Sequence, residues 1–452
     1  MGDSKIFRRC SNHFTEMFAT LLVVLTVFSS LAMAQNNPSS PAASPALDDC
    51  SFETSQLGNP SASGANPGET FLYTGQIDFS VNLFKSIVKA NKGQANVFLS
   101  PYSIYDALLL TYFASAGETE ASLKKVLGLP ENTSKGQVVN EYKMNAFLNS
   151  IRGQNVTAQE FASANRIFLS QELPIRNCMK SAFKEEYQPT DFRKDPESAR
   201  KMINDFVATT TKNNIQDFLP RGLIDLETKL VMVNAAYFKG LWASQFLPSS
   251  TRKDVFYKTP DVKINVDMMN QKGTFNYEES KQLGARVLEL KYKDDQMKMF
   301  IILPPFNAPN AIHDVIDRLD GNALREIVNL QMARPREVQV RMPKFTVELE
   351  LEISPFLSEI GAGDAFSAAG NFTGLLKTGN VRLGSALHKA KVEVNEKGTK
   401  AAAATAVVSF RSARPLDSVT FECNHPFAYF IYDTHQNAIL FYGVYYAPTE
   451  KA

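Results

Sequence analysis

Residues 393–414 read EVNEKGTKAAAATAVVSFRSAR, and the two halves of this segment favour different backbone conformations. Residues 401–404 are alanines that suit a helix, whereas residues 405–408, TAVV, favour a half-buried strand. Such a local conflict is typical of functional sites. The segment indicates a stretch of chain that changes conformation, and an alanine-rich linker is the alternative that the segment alone leaves open.

The side chains of this segment alternate as an inserting strand requires. In a strand every second residue lies on one face, and that face would carry only small or β-branched side chains. Gly398, which precedes it and lacks a Cβ, can absorb a large change in backbone torsion. Lys400 lies on the opposite face and can stay in water. The residues of the small face are Thr399, Ala401, Ala403, Thr405, Val407 and Ser409.

The amino terminus has the pattern of a secretory signal. Basic residues precede an apolar run over residues 18–28, and residues 32–34, AMA, form a signal peptidase site. The run is shorter than the ~20 residues that a membrane-spanning helix needs. We expect residues 1–34 to be removed and the mature protein to be secreted and extracellular, with no membrane partner.

The rest of the chain divides into a tail and a globule. Residues 35–70 are rich in Asn, Pro, Ser, Ala and Gly, which predicts a flexible extension without a core of its own. Apolar periodic segments follow one another with short breaks over residues 71–452, as in a single domain. Helical periods dominate first and strand-like runs later, which indicates an α+β fold.

The charge balance excludes one class of partner. Lys and Arg total 48, Asp and Glu total 47, and no basic stripe stands out, so nucleic acid is not an expected partner. The basic residues Lys135, Lys143 and Arg152 are too scattered to indicate glycosaminoglycan binding.

Three cysteines and three glycosylation sequons remain after the expected cleavage. The odd number excludes a dense disulfide framework, and we interpret Cys178 and Cys423 as small buried hydrophobes. Cys50, in the extension, is either a free thiol or an intermolecular bridge. The sequons of a secreted glycoprotein lie at Asn132, Asn155 and Asn371.

Catalytic and metal-binding motifs are missing from the sequence. It has no Gly-x-Ser-x-Gly elbow, no His-Glu-x-x-His site and no phosphate-binding glycine loop, and its five histidines lack metal-ligand spacing. We expect neither an enzyme nor a bound metal or cofactor.

A few polar residues in apolar surroundings indicate a polar lock. Ser100 and Ser103 begin a helix, Asn234 lies in the apolar strand KLVMVNAAYF, and His388 lies in SALHKAKVEV. Buried polar groups need partners, so these side chains would bind one another if the fold brings them together. A capping serine and an ordinary core histidine are the alternative. Trp242 either covers the end of the same sheet or fills the core.

From about residue 71 to residue 448 the chain resembles the serpins, a family of serine protease inhibitors. The resemblance rests on NVFLSPYSI (96–104), VNAAYFKGLW (233–242), MM (268–269), MFIILP (299–304), MPKF (342–345), IGAGDAF (360–366), VNEKGTKAAAAT (394–405) and NHPFAYFIYD (424–433). It implies helices packed around three β-sheets, with a large central sheet and an exposed reactive centre loop at about residues 396–416.

The resemblance also implies a mechanism. In this family a serine protease cleaves the loop and forms a covalent acyl-enzyme, and the cleaved loop inserts into the central sheet before that bond is hydrolysed. Ser100, Ser103, Asn234 and His388 match the "shutter" under the sheet, and Trp242 matches the "breach" where the loop enters. The hinge and inserting positions correspond to Glu396, Gly398, Thr399, Ala401, Ala403, Thr405 and Val407.

The bait end of the loop leaves the target open. The usual family spacing from Gly398 puts the scissile bond between Ser412 and Ala413, which suits an elastase-like protease. A register one residue shorter cleaves after Arg411, which suits a trypsin-like protease. Phe410 leaves a chymotrypsin-like target as a minor option.

The resemblance is closest to arthropod haemolymph serpins. It implies a secreted, monomeric inhibitor that restrains a proteolytic cascade of innate immunity or melanisation. A non-inhibitory carrier or storage serpin is the alternative, and the small inserting face argues against it. Lys397 and Lys400 stand where the family often has glutamates, but both can remain solvated, so we expect little effect on inhibition.

Overall fold

The strands of the computed structural model form three sheets over the residues that the structure describes. These residues are 71–92, 95–153, 159–293, 295–306, 310–329, 335–379, 381, 383–384, 386–397 and 419–448. They all belong to the compact unit Asp48–Ala452. Together with the helices around them, the sheets confirm the α+β class.

The helices are numbered in chain order. They are α1 Gln76–Asn91, α2 Pro101–Ala114, α3 Gly117–Val126, α4 Lys135–Gly153, α5 Asn177–Ala182, α6 Pro196–Thr210, α7 Ala311–Arg318, α8 Gly321–Val328, α9 Ser354–Leu357 and α10 Gly363–Phe366. A 3-10 turn at Pro248–Ser250 and a π-turn at Ser358–Ala362 complete the helical elements.

The strands are numbered in the same way. They are β1 Val97–Leu99, β2 Gln159–Ser170, β3 Tyr187–Thr190, β4 Leu230–Gly240, β5 Arg252–Tyr257, β6 Lys263–Phe275, β7 Tyr277–Ser280, β8 Ala285–Lys291, β9 Met297–Leu303, β10 Arg336–Pro343, β11 Phe345–Glu352, β12 Ala386–Val394, β13 Val419–Glu422, β14 Phe427–Asp433 and β15 Ala438–Tyr445.

The central sheet has five strands in the order β3, β2, β4, β12, β11. A four-stranded sheet has the order β13, β10, β6, β5, and a six-stranded sheet has the order β1, β15, β14, β9, β8, β7. Within the central sheet β4 and β12 are parallel neighbours, whereas β2 and β11 run antiparallel to them. We call this pairing of β4 with β12 the parallel seam. It lies inside the five-stranded central sheet, and the candidate site lies on it.

Strands that are apolar on both faces lie in the interior, as their sequences predict. Every residue of β9, β14 and β15 is buried, and β14 and β15 form an antiparallel hairpin. Helix α2 is buried on nearly all sides, and Phe84 of α1 stacks on Tyr442 of β15 at 3.9 Å. This core fixes α2 beneath the central sheet.

A second layer covers the opposite face of the central sheet. Ile203 and Val207 of α6 cluster with Val233, Ala235 and Tyr237 of β4. Since α6 covers one face and α2 the other, β4 is buried on both sides, which explains why its sequence is apolar at successive positions.

Residues 338–347, VQVRMPKFTV, alternate in polarity but belong to two strands in different sheets. The chain leaves the four-stranded sheet after Pro343, and β11 begins in the central sheet at Phe345. Between them the amide of Lys344 donates to the Asp267 carbonyl at 2.8 Å. Proline has no amide hydrogen to continue the ladder, which explains the break.

One expectation about the cysteines is wrong. Cys178, at the start of α5, is disulfide-bonded, and its partner lies outside the described residues. Cys423 is free and fully buried, as expected. A single disulfide is compatible with the sequence, because an odd number of cysteines after the expected cleavage excludes a dense framework but not one bridge.

Among the described residues, no helix combines the length and the apolar character that crossing a membrane requires.

Candidate functional site

Three strands of the central sheet place polar side chains in one row. In the register of the sheet, Asn165 of β2 lies opposite Asn234 of β4, and Asn234 lies opposite His388 of β12. Asn234 and His388 therefore face each other across the parallel seam. The fold brings together two residues that are 154 positions apart in the chain.

His388 and Asn234 form a side-chain hydrogen bond across the seam. The amide of Ser100 donates to His388 Nε2 at 3.0 Å, so Nε2 is the unprotonated nitrogen. His388 Nδ1 must then carry the proton, which it donates to Asn234 Oδ1. Both acceptor and donor capacities of the neutral imidazole are used.

Burial keeps this histidine neutral. The side chain of His388 is completely inaccessible to solvent, and this desolvation lowers its pKa from 6.5 to about 3, although its bond to Asn234 opposes the shift. A second proton would have to sit on Nε2, where it would face the Ser100 amide, itself a donor. The hydrogen bonds of His388 to Ser100 and Asn234 therefore require the neutral ring.

The first turn of α2 completes the cluster from below. Asn234 Nδ2 donates to the Ser103 carbonyl at 2.6 Å and lies 2.9 Å from Ser103 Oγ and 2.8 Å from Asn165 Oδ1. Ser103 Oγ in turn bonds to Ser163 Oγ at 2.9 Å and donates to Asn165 Oδ1 at 2.8 Å. Polar groups of α2, β2, β4 and β12 thus satisfy one another in a buried site. We call this cluster the lock; its residues are Ser100, Ser103, Ser163, Asn165, Asn234 and His388.

Ser100 both caps α2 and ties it to another sheet. Its hydroxyl accepts from the Ser103 amide at 3.2 Å, as the sequence predicts for a helix start, and donates to the Leu440 carbonyl of β15 at 2.7 Å. The cap therefore fixes the position of the turn that carries the lock.

Trp242 covers the end of the seam. Its ring stacks on Tyr292 with centroids 4.4 Å apart, and its Nε1 donates to the Asn395 carbonyl at 2.9 Å. Asn395 follows the last residue of β12. The tryptophan is therefore bound to the backbone at the point where the loop sequence begins, beyond its contribution to the core.

Glu396 holds the same end of β12 through three contacts. Its Oε1 accepts from Thr251 Oγ1 at 3.0 Å, its Oε2 lies 3.2 Å from Lys344 Nζ, and its carbonyl accepts from the Phe246 amide at 3.0 Å. Partial burial alone would raise the pKa of this carboxyl, but the hydrogen bonds and the Lys344 charge lower it below its usual value. We call Glu396, Thr251 and Lys344 the latch.

The inserting and bait positions lie outside the described residues. The described chain stops at Lys397 and resumes at Val419, the first residue of β13. The predicted site residues in this interval are Gly398, Thr399, Ala401, Ala403, Thr405, Val407, Arg411, Ser412 and Ala413.

Four residues of the lock and the latch were missed by sequence reasoning. Ser163 and Asn165 lie in EFASANRIF, where polar residues alternate with others as on any half-exposed strand. Thr251 and Lys344 look like ordinary surface residues. The one signal in the sequence is that Ser163 and Asn165 are polar residues at alternate positions of a strand, as Asn234 is a polar residue in an apolar strand.

The predicted glycosylation sites and basic residues differ in their exposure to solvent. Asn132 is exposed, Asn371 is half-buried, and Asn155 lies outside the described residues. Lys135 is buried and pairs with Glu120 at 2.8 Å, so it is not available to a glycosaminoglycan. No cluster of His, Cys, Asp or Glu in the described ranges could hold a metal ion.

Known proteins are similar to this chain in sequence and in architecture. The family model "Serpin (serine protease inhibitor)" matches residues 74–448. Serine protease inhibitor 88Ea of Drosophila melanogaster is 40% identical over 392 residues, 83% of this chain and 91% of that protein. Ipis-1 of Ixodes persulcatus is 32% identical over 375 residues, 81% of this chain and 96% of that protein. The structure of uncleaved ovalbumin has a TM-score of 0.72 at 25% identity and covers 83% of this chain and 100% of its own.

Acid should weaken the lock through His388. Between about pH 6.5 and pH 3 the unfolded chain binds a proton that the folded chain does not, so the free energy of unfolding falls as the pH falls. The slope from this residue is at most about 1.4 kcal/mol per pH unit. We predict that urea unfolding at pH 8, 6.5 and 5 shows a shallower pH dependence in His388→Gln than in the wild type.

His435→Gln is the matched control for this measurement, because His435 is exposed and far from the seam in sequence. It should keep the wild-type slope. Equal slopes in His388→Gln and the wild type would contradict a buried neutral ring.

The latch should respond to charge. We predict that Glu396→Lys, which places two ammonium groups together, lowers the free energy of unfolding by about 1 to 2 kcal/mol. The double variant Glu396→Lys with Lys344→Glu should recover part of that loss. Thermal unfolding of the two single variants and the double variant measures the coupling, and strict additivity would rule out a direct Glu396–Lys344 interaction.

Proposed function

Because this chain belongs to the serpin family, we propose that it is a secreted inhibitor that traps an extracellular serine protease by inserting its cleaved loop into the central sheet. The observation that carries the proposal is the parallel seam between β4 and β12, closed by the lock and adjacent to the start of the loop. The small alternating residues of the loop sequence fit a strand that must enter a packed sheet.

The seam has the geometry that insertion requires. The chain leaves β12 at Val394, so a strand formed by the residues after the hinge would turn back and run antiparallel to β12 and β4. The seven pairs from Ala386 to Val392 that now join β12 to β4 in parallel would be replaced by two antiparallel ladders. Antiparallel pairing is slightly more stable per residue, and the number of ladders doubles.

Insertion must break the lock. Neighbouring strands are about 4.8 Å apart, so an added strand would move β12 about 10 Å from β4. His388 and Asn234 could then no longer bond directly. The lock would hold the sheet closed before cleavage, and an incoming Thr399 side chain is small enough to pass into the space that opens.

The target, the cascade and the glycans are part of the same proposal. We take a trypsin-like or elastase-like enzyme as the target, a proteolytic cascade of arthropod immunity or melanisation as the setting, and a glycosylated monomer as the form. The relatives in Drosophila and Ixodes support an arthropod setting. A carrier or storage serpin is the second candidate.

A gel experiment tests the inhibitory function. The protein is mixed with trypsin-like, chymotrypsin-like and elastase-like proteases, and each reaction is examined on a denaturing gel. We predict a covalent complex with at least one of them, and a released peptide that begins at Ala413 or Ser412. Cleavage without any complex in all three reactions would favour the carrier or storage candidate.

The inserting face can be tested at its first residue. Thr399→Arg would bury an unpaired charge at a cost of several kcal/mol, which should delay insertion until the acyl-enzyme is hydrolysed. We predict that this variant is cleaved as a substrate without forming a complex. Lys400→Arg carries the same side chain one residue later, on the face expected to stay in water, and should inhibit like the wild type. A Thr399→Arg variant that still traps protease would show that this face does not enter the sheet.

A further inference from the structure

Helix α4 carries an apolar stripe on its outer side. Met144, Phe147, Leu148 and Ile151 are 56%, 60%, 40% and 46% exposed. Their spacing of three and four residues places them on one face. The face that packs on the domain is a different one, since Val138 and Val139 are buried. A continuous stripe of large apolar side chains in water indicates a surface that another segment covers.

The disulfide of Cys178 brings another part of the chain to this helix. Cys178 lies at the start of α5, and Phe183 directly follows the last residue of α5. The ring centroids of Phe183 and of Tyr142 in α4 are 6.4 Å apart, and Lys143 Nζ lies 5.6 Å from the centroid of the Phe183 ring. Lys143 is one turn before Phe147. A segment attached to Cys178 therefore starts on a helix that packs against α4.

The identity of that segment follows by elimination. The chain has four cysteines, and Cys423 is free. Cys10 lies in the segment that we expect to be removed as a signal, which leaves Cys50 as the partner in the mature protein. The bond forms by thiol–disulfide exchange with an oxidised dithiol, which takes up the two electrons and the two protons that the Cys50 and Cys178 thiols release.

The second end of the segment joins the domain at Phe71. Residues 51–70 separate Cys50 from Phe71, where the described chain begins, and extended they reach about 70 Å. This length lets the residues near Cys50 reach the outer side of α4.

Charges beside the bridge also favour this contact. Residues 35–70 contain Asp48, Asp49, Glu53 and Glu69 and no Lys or Arg. Lys180 and Lys184 are exposed on and just after α5, where Glu185 is also exposed and Lys143 already lies near Glu186. Three of the four acidic residues lie within three positions of Cys50, so a bridge to Cys178 would bring them close to Lys180.

We propose that residues 48–57, joined through a disulfide between Cys50 and Cys178, pack Phe52 and Leu57 onto the outer apolar stripe of α4. The extension is then an integral part of the domain surface, and the stripe is closed to other partners. This role is independent of the proposed inhibitory function, since neither the seam nor the loop takes part.

Two measurements on the full-length secreted protein test the pairing and the contact. Peptide mapping without reduction should find Cys50 joined to Cys178. The photo-crosslinking residue p-benzoylphenylalanine is placed at Phe147 and, as the control, at Ala146, which is exposed on the other side of the same turn. Crosslinks from position 147 should fall within residues 48–57, and those from position 146 should not.

Loss of the tether gives the decisive comparison. In Cys50→Ser with Cys178→Ser, which leaves no unpaired thiol at either site, the crosslink from position 147 should fall about tenfold or more because the local concentration of the segment falls. Crosslinks to α4 of a second molecule would show that the stripe is a dimer interface and overturn the proposal. Equal yields at positions 146 and 147, or a Cys178 bridge to another thiol, would also overturn it.

Discussion

The structure depends on a parallel seam that is held by side chains across its middle. Asn234 and His388 lie opposite each other on β4 and β12, and both are buried, so each must find its partners inside the protein. An unsatisfied buried polar group costs about 1–3 kcal/mol, which makes the closed seam specific in register as well as stable. The surrounding elements are arranged to meet this requirement, from the serine cap of α2 to Asn165 on β2.

Small residues next to the lock let α2 approach the sheet. On the same face of the central sheet, Ser163, Ala236 and Ala390 lie in one row beside the row of Asn165, Asn234 and His388. Larger side chains there would push the first turn of α2 away, and the Ser103 carbonyl would lose its bond to Asn234. The next row carries Phe161, Phe238 and Val392, so close approach is confined to the lock. The latch and Trp242 then fix β12 at the end from which the loop sequence departs.

Sequence patterns could predict the elements but only part of the site. Apolar runs such as KLVMVNAAYF identify buried strands, and a serine before Pro101 identifies a helix start, because burial and capping act within a few residues. The meeting of Asn234 with His388 depends on which strands are neighbours and in what register, and no local preference encodes that. These two residues stand out as polar side chains in apolar runs, and the family resemblance indicated that they meet, whereas Ser163, Asn165, Thr251 and Lys344 are common residue types in ordinary positions. The Cys178 bridge was missed for a similar reason, because a count of cysteines does not say which thiols meet.

In the proposed mechanism the lock and the latch oppose insertion. An added strand would gain a second ladder of about seven residue pairs, each contributing about 0.5–1.5 kcal/mol, and ordering its backbone would cost about 1–2 kcal/mol per residue. The lock contributes a few buried hydrogen bonds, and the half-exposed latch lysine adds a salt bridge worth about 1 kcal/mol or less. These contacts must break before the new ladders can form, so they delay the transition. Their place in the fold suits that task, because the latch lies where an incoming strand would begin and the lock lies halfway along its path.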